Sequence, residues 1–289
     1  MTTSLMRAQD FVWRNARLLE RHLFAWLFAN GLKGSVLQAL RAYQNDDGGF
    51  GNALEPDKRC PSSQPVDVEL AFHTLDTLGS FDDAMVMRAC DFLASIATPE
   101  GGVPFTLSSV RLYPRAPWWQ ADDNPPASLN PSAAIVGLLL KHKVVHPWVD
   151  SAAAFCWRAI AESETRQFHD LMPMITFLEY VPDRFQAERE LKRISARITE
   201  PGVVTMETYA EGYVKYPLDW APRPDSFCRR LFSDQVIETH LRALAARQQE
   251  DGGWLINWET ISPMVSLEWR GIVTLKALQV LQAYGVLQD

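Results

Sequence analysis

The chain has 289 residues, with 28 Lys and Arg against 35 Asp and Glu, so its formal charge is -7 and its isoelectric point about 5.4. That acidic balance argues against a generic nucleic-acid or anionic-membrane surface, because both partners require a basic field. Four cysteines, Cys60, Cys90, Cys156 and Cys228, form no CxxC pair and predict partly buried, reduced thiols rather than a disulfide framework.

Leu5, Phe11, Val12, Leu18, Leu19, Leu23, Trp26 and Leu27 give a helix-compatible apolar face over 5–28, ending near Asn30-Gly31. Arg14, Arg17, Glu20 and Arg21 interrupt it, so the segment reads neither as a signal peptide nor as a membrane span, and a cytoplasmic location without stable membrane insertion is expected. A second helix over 33–44 runs into Gly48-Gly49. Pro65, in a first turn, opens a helix that ends at Gly79, and 82–96 completes the pair. Residues 99–129 turn to Gly, Pro, Ser and Asp, with Pro114, Pro117, Pro125 and Pro126 breaking any regular element. A connection of that length within a compact domain points to function or motion. Asn130-Pro131 opens a helix over 131–142, followed by helices over 148–162, 168–180 and 184–197. A second proline-rich connection over 209–226 carries Tyr213, Tyr216, Asp219, Trp220 and Asp225, and helices over 233–249 and 264–284 close the chain.

Two turns stand out from this series. Gln44-Asn45-Asp46-Asp47-Gly48-Gly49-Phe50 and Gln248-Gln249-Glu250-Asp251-Gly252-Gly253-Trp254 each end an apolar helical run, and weaker copies lie at Pro99–Phe105 and Glu200–Val204. The glycines imply a period of roughly 50 residues, the length of two helices and their connections. Glycine supplies the left-handed backbone that closes a helix, the acid bonds neighbouring N–H groups, and the aromatic covers the helix end. Strand patterns are nearly absent. The expected fold is therefore all-α: one α/α toroid spanning 1–289, with consecutive pairs of inner and outer helices around a cavity.

These turns resemble the glutamine-tryptophan repeat of the prenyltransferase and squalene-cyclase superfamily. Lys33-Gly34 through Gln44, Gly48 and Phe50 follows that repeat at the first site, and Arg242-Ala243 through Gln248, Gly252 and Trp254 at the last. The resemblance implies an α/α toroid whose cavity holds an apolar isoprenoid, with the glutamine in a structural role. The chain departs from the family's functional signatures. It lacks the Asp-x-Asp-Asp acid motif of class II cyclases, Asp67-Val68-Glu69 and Glu55-Pro56-Asp57 being the nearest carboxylate pairs. Asp82-Asp83 and Asp122-Asp123 lack the downstream carboxylate of a class I diphosphate site, and Asp225, Cys228 and His240 only loosely echo a zinc set. A diverged, single-domain member is the expectation that follows.

Asp219 beside Trp220 is the leading acid candidate, because apolar rings around a carboxyl make its proton harder to lose and suit it to protonating an alkene or epoxide. Asp67, Glu69, Asp57 and Glu55 are further catalytic candidates, set where a helix start or a glycine-rich loop would reach a cavity mouth. Trp118, Trp119, Tyr213, Trp220 and Trp258 are candidate walls for an apolar substrate, with Glu268 and His73 as additional binding candidates. Each has a plain structural alternative: the acids as helix caps, turn residues or ion pairs, Glu268 as the partner of Arg270, His73 as a core hydrogen bonder, the rings as loop packing. No cofactor or metal site is expected from the spacing of Cys and His, with Mg2+ entering only if the substrate is a diphosphate. The favoured function is acid-initiated cyclisation or isomerisation of an apolar, isoprenoid small molecule. A carbohydrate hydrolase or lyase, and a non-catalytic binding or scaffold toroid, remain open, as does the oligomeric state.

Overall fold

A computed structural model describes residues 3–287. Among these residues there are twelve α-helices and no β-strand, only the isolated bridges Gln44–Phe50, Lys58–Arg115 and Pro104–Ala127, so the all-α expectation holds. None of the helices is long and apolar enough to cross a membrane. The chain divides into two compact units. One takes the residues up to Ala39 and from Ile198 onward; the other spans Leu40–Arg197.

The second unit is built from helix pairs: α4 (Pro65–Leu78) with α5 (Ala84–Ile96), α6 (Leu129–Lys141) with α7 (Pro147–Glu162), and α8 (Phe168–Tyr180) with α9 (Arg184–Ile198). α6 lies between α4 and α8, and α5 and α7 pack beside each other. Every residue of α6 from Pro131 to Leu139 is buried, which its almost uninterrupted apolar sequence requires. Gly137 lets α8 approach, since a Cβ there would stand 2.6 Å from the Thr176 carbonyl oxygen. Local chemistry sets the helix ends. Pro65 occupies the first turn of α4, Gly79 closes it in the left-handed region at φ 57°, and Asp83 caps α5 by accepting the Met85 N–H.

The first unit packs α1 (Thr3–Asn15) and α2 (Leu18–Phe28) with α11 (Asp234–Ala246) and α12 (Pro263–Ala283); α10 (Pro217–Trp220) packs on α11. The helix α3 (Lys33–Arg41) bears the division between the units. The single helix expected over 5–28 is two helices. The chain breaks at Ala16-Arg17, where Arg17 is extended at ψ 164° and its guanidinium forks onto Glu20 at 2.7 and 2.9 Å. Buried Ala16 packs there against Gly271 of α12, a tertiary contact with no counterpart in the apolar pattern.

Three turns share one geometry. In all three the residue four before the second glycine donates its N–H to that glycine's carbonyl: Asn45 to Gly49, Thr98 to Gly102, Gln249 to Gly253. The first glycines Gly48, Gly101 and Gly252 have φ of 89°, 99° and 93°. Each presses its Cα face onto a helix backbone, at Arg88, Ser151 and Arg7 respectively. The Gln44 side chain donates to the Gly48 carbonyl at 2.8 Å and to that of Met85, at the start of α5, at 3.0 Å. Gln248 repeats this on Gly252 at 2.9 Å and on Ser4, at the start of α1, at 2.8 Å. Gly202 keeps the positive φ, 85°, but meets nothing, so that copy is a turn without the packing.

Candidate active site

The loop between the first glycine turn and α4 folds back on itself. Asn52 and Ala53 both take left-handed backbone, at φ 56° and 59°, and donate their N–H groups to Pro61 and Cys60 across the loop. The reversal leaves Glu55-Pro56-Asp57-Lys58 at its tip, folded against the first turn of α4. Asp67, the third residue of α4, holds the tip with both oxygens: Oδ1 accepts the Glu55 N–H at 2.8 Å and Oδ2 accepts the Lys58 ammonium at 2.5 Å. Lys58 and Asp67 are fully buried, and Asp57 and Glu55 are only 1% and 4% exposed.

The connection over 99–129 is fastened onto this tip. Arg59 donates its N–H to Pro114, and Ala116 donates to the Asp57 carbonyl, both at 2.8 Å. Gln64, the residue before α4, bonds across with its side chain: Oε1 accepts the Thr106 hydroxyl and the Leu107 N–H, and Nε2 donates to Ser109, all at 2.8 Å. The Lys58 ammonium lies 5.3 Å from the centroid of the Trp119 ring, a cation-π contact, and Trp119 stacks on Phe105 at 4.9 Å with planes 9° apart. The fastened connection thus supplies an aromatic face to a buried, charged tip.

In this setting burial pushes the Glu55 carboxyl up to about 8 from its ordinary 4.5; Lys58 draws it down, and the neighbouring Asp67 and Asp57 charges raise it again. Removal from water disfavours the charged form and is the dominant cause. At neutral pH Glu55 is a protonated acid beside an ion-paired aspartate, the division of labour that acid catalysis needs.

The structure brings Glu55, Asp57, Asp67 and Trp119 together in the second unit and places the other candidates elsewhere. Glu69, two residues beyond Asp67, points to a different side of α4 with its Oε1 3.7 Å from His73, whose ring is half exposed. Trp118 is 47% exposed, directed away from its neighbour Trp119. Asp219, the leading candidate from sequence, belongs to the first unit and is exposed. Its Oδ2 accepts the Tyr216 N–H at 2.7 Å and so starts α10, the role of a cap rather than of an enclosed acid. Asp225 pairs with Arg223 at 3.0 Å. Also in the first unit, Tyr213, Trp258 and Trp269 form an edge-to-face series, Lys215 lies over Tyr213 at 4.4 Å, and Trp220 is buried. Arg270, expected to neutralise Glu268, instead pairs with Asp251 at 2.8 Å and lies over the Phe11 ring; Glu268 is half-buried in α12. Among the described residues no group of three or more His, Cys, Asp or Glu is placed to hold a metal ion. Phe105 was marked in the sequence only as the aromatic of a weaker turn, and Gln64 went unmarked, although a glutamine directly before a helix-opening proline is a position whose side chain is free to bond outward from the helix.

No protein-family model and no curated protein matches the sequence. Among solved structures, the chain is similar to a protein from Actinoplanes at 14% identity and a TM-score of 0.57, covering 96% of this chain and 98% of that one. It is also similar to a variant of the type II terpene cyclase MstE from Scytonema in complex with its substrate, geranylgeranyl dihydroxybenzoate. That match has 13% identity and a TM-score of 0.52 and covers 97% of this chain and 87% of the cyclase. Another MstE variant, in complex with the product merosterolic acid A, gives 0.50 over the same shares. Across almost its whole length, then, the chain has the fold of a type II terpene cyclase.

Proposed function

We propose that this chain is a terpene-cyclase-like enzyme that converts an apolar, isoprenoid substrate by acid-initiated cyclisation or isomerisation, with Glu55 as the acid. The observation that carries the reading is the buried carboxyl of Glu55, pushed up to about 8 among Asp57, Asp67 and Lys58 at the start of α4. Its proton goes to an alkene carbon or an oxygen of the substrate, and the cation so formed is stabilised by ring faces and kept from water by a dry surround. Asp67, ion-paired to Lys58, positions the tip rather than giving up a proton. The proposed step draws its proton from the chain and calls for no cofactor. The likeness in fold to MstE, whose variant binds geranylgeranyl dihydroxybenzoate, supports an isoprenoid-like substrate here.

Glu55→Gln preserves size and removes the acid. Turnover of geranyl, farnesyl and geranylgeranyl acetates by the wild-type chain, followed by product chromatography, is expected to give ring closure or a shifted double bond and to fall about 10²- to 10⁴-fold in the variant. Near-wild-type turnover in Glu55→Gln removes Glu55 from the reaction.

The complete burial of Lys58 and Asp67 favours a second reading, a non-catalytic toroid in which the tip only anchors the 99–129 connection. Under that reading the acetates pass unchanged and Glu55→Gln alters stability alone.

A further inference from the structure

We infer that the side chains of Glu55 and Trp119 together form a binding site for one uncharged oxygen acceptor, a carbonyl, carried on an apolar substrate. The inference rests on placing the active site at Glu55 and narrows the substrate class that site takes.

Two buried polar atoms carry it. Glu55 Oε2 and Trp119 Nε1 have no hydrogen-bond partner among the described residues, although the residues are 4% and 5% exposed. A buried polar group left unmatched is costly, so two in one buried cluster are a standing demand for a ligand atom. Lys58 links the two residues: its ammonium lies 5.3 Å from the centroid of the Trp119 ring, and of all charges it acts most strongly on Glu55. Their chemistry defines what fits. An indole N–H only donates, and Glu55, holding its proton at neutral pH, donates as well. Two donors call for an acceptor with two lone pairs, which a carbonyl oxygen offers. A carboxylate or diphosphate is disfavoured because Asp57 and Asp67 already place negative charge beside Glu55, and a cation is disfavoured by Lys58. The Phe105 ring stacked on Trp119 suits an apolar remainder.

The test uses the full chain and the isoprenoid ketone geranylacetone, 13C-labelled at the carbonyl, against the hydrocarbon that carries a methylene in its place. The ketone is expected to bind about tenfold more tightly or better, and its bound C=O stretch to lie below its value in hexane. Trp119→Phe is expected to remove most of that preference and part of the shift. Glu55→Gln, whose amide still donates, is expected to keep both while abolishing acetate turnover. Equal affinity for ketone and hydrocarbon, a C=O stretch as in hexane, or an unchanged preference in Trp119→Phe overturns the inference. So does a crystal structure at saturating ketone showing an ordered water on both atoms. If Trp119→Phe does not fold by circular dichroism, the wild-type stretch and the Glu55→Gln affinities decide. Ketone binding that survives while Glu55→Gln turns over normally leaves this site standing and removes the proposed acid chemistry, so the two failures are distinguishable.

Discussion

At the residue scale, Glu55 ties the fold to pH and Lys58 neutralises a buried carboxylate. A carboxyl whose affinity for its proton is raised on folding links stability to pH. Below its ordinary value of 4.5 both the folded and unfolded chains hold the proton; between 4.5 and about 8 only the folded chain does, so stability falls with rising pH across that window and levels above it. Urea titrations from pH 5 to 9 are expected to show this decline, and Glu55→Gln to flatten it. Activity carries the same sign: it is expected to be full below about 7 and lost as pH rises through about 8. A profile that climbs through 8 contradicts the assignment of Glu55. The buried pair of Lys58 with Asp67 spans 2.5 Å, so Lys58→Met strands a carboxylate in the interior and is expected to cost about 3–5 kcal/mol in urea unfolding. Joint replacement with Asp67→Leu is expected to recover much of that loss, since the stranded charge is gone. The sequence marked Glu55, Asp57 and Asp67 but ranked Asp219 above them, because an aspartate beside a tryptophan reads as enclosed. Adjacent residues on a short helix point to different sides: Trp220 is buried and Asp219 is exposed.

Among the elements, the glycine turns were the most legible feature because backbone geometry leaves few alternatives. Positive φ, contact with a helix backbone and the glutamine bonds are all consequences of the residue types at fixed spacing. Gly48→Ala and Gly252→Ala each force a Cβ onto a carbonyl oxygen, of Arg88 and Arg7, at φ near 90°, and each is expected to cost about 3 kcal/mol. Gly202→Ala has the same strained backbone with nothing near its Cβ and is expected to cost only about 1 kcal/mol. Thermal unfolding of the three variants checks the ranking, and equal losses would contradict it. The start of α4 at Pro65 and its end at Gly79 were legible for similar reasons. The break at Arg17 was not, since Arg14, Arg17, Glu20 and Arg21 interrupt the apolar face alike while the cause of the break lies in the contact with Gly271. Nor were the Gln64 bonds to Thr106, Leu107 and Ser109, which join residues more than forty apart in a segment with no periodicity.

For the whole molecule, the first unit draws its helices from both ends of the chain, α1 and α2 packing with α12. α1 buries Ala8, Phe11 and Val12 at 0–1% exposure, so deleting residues 3–15 is expected to remove hydrogen-exchange protection from α12. The second unit contains the whole Glu55 site, and the fold over almost the full length is shared with a type II terpene cyclase. In the proposed function, one proton leaves Glu55 for the substrate. Incubating the wild-type chain with the isoprenoid acetates in deuterium oxide, followed by mass spectrometry of the products, tests that transfer most directly. The account predicts a cyclised or isomerised product carrying one solvent-derived deuterium, with both product and label lost in Glu55→Gln. Substrate recovered unchanged, a product without deuterium, or labelled product formed equally by Glu55→Gln would contradict it.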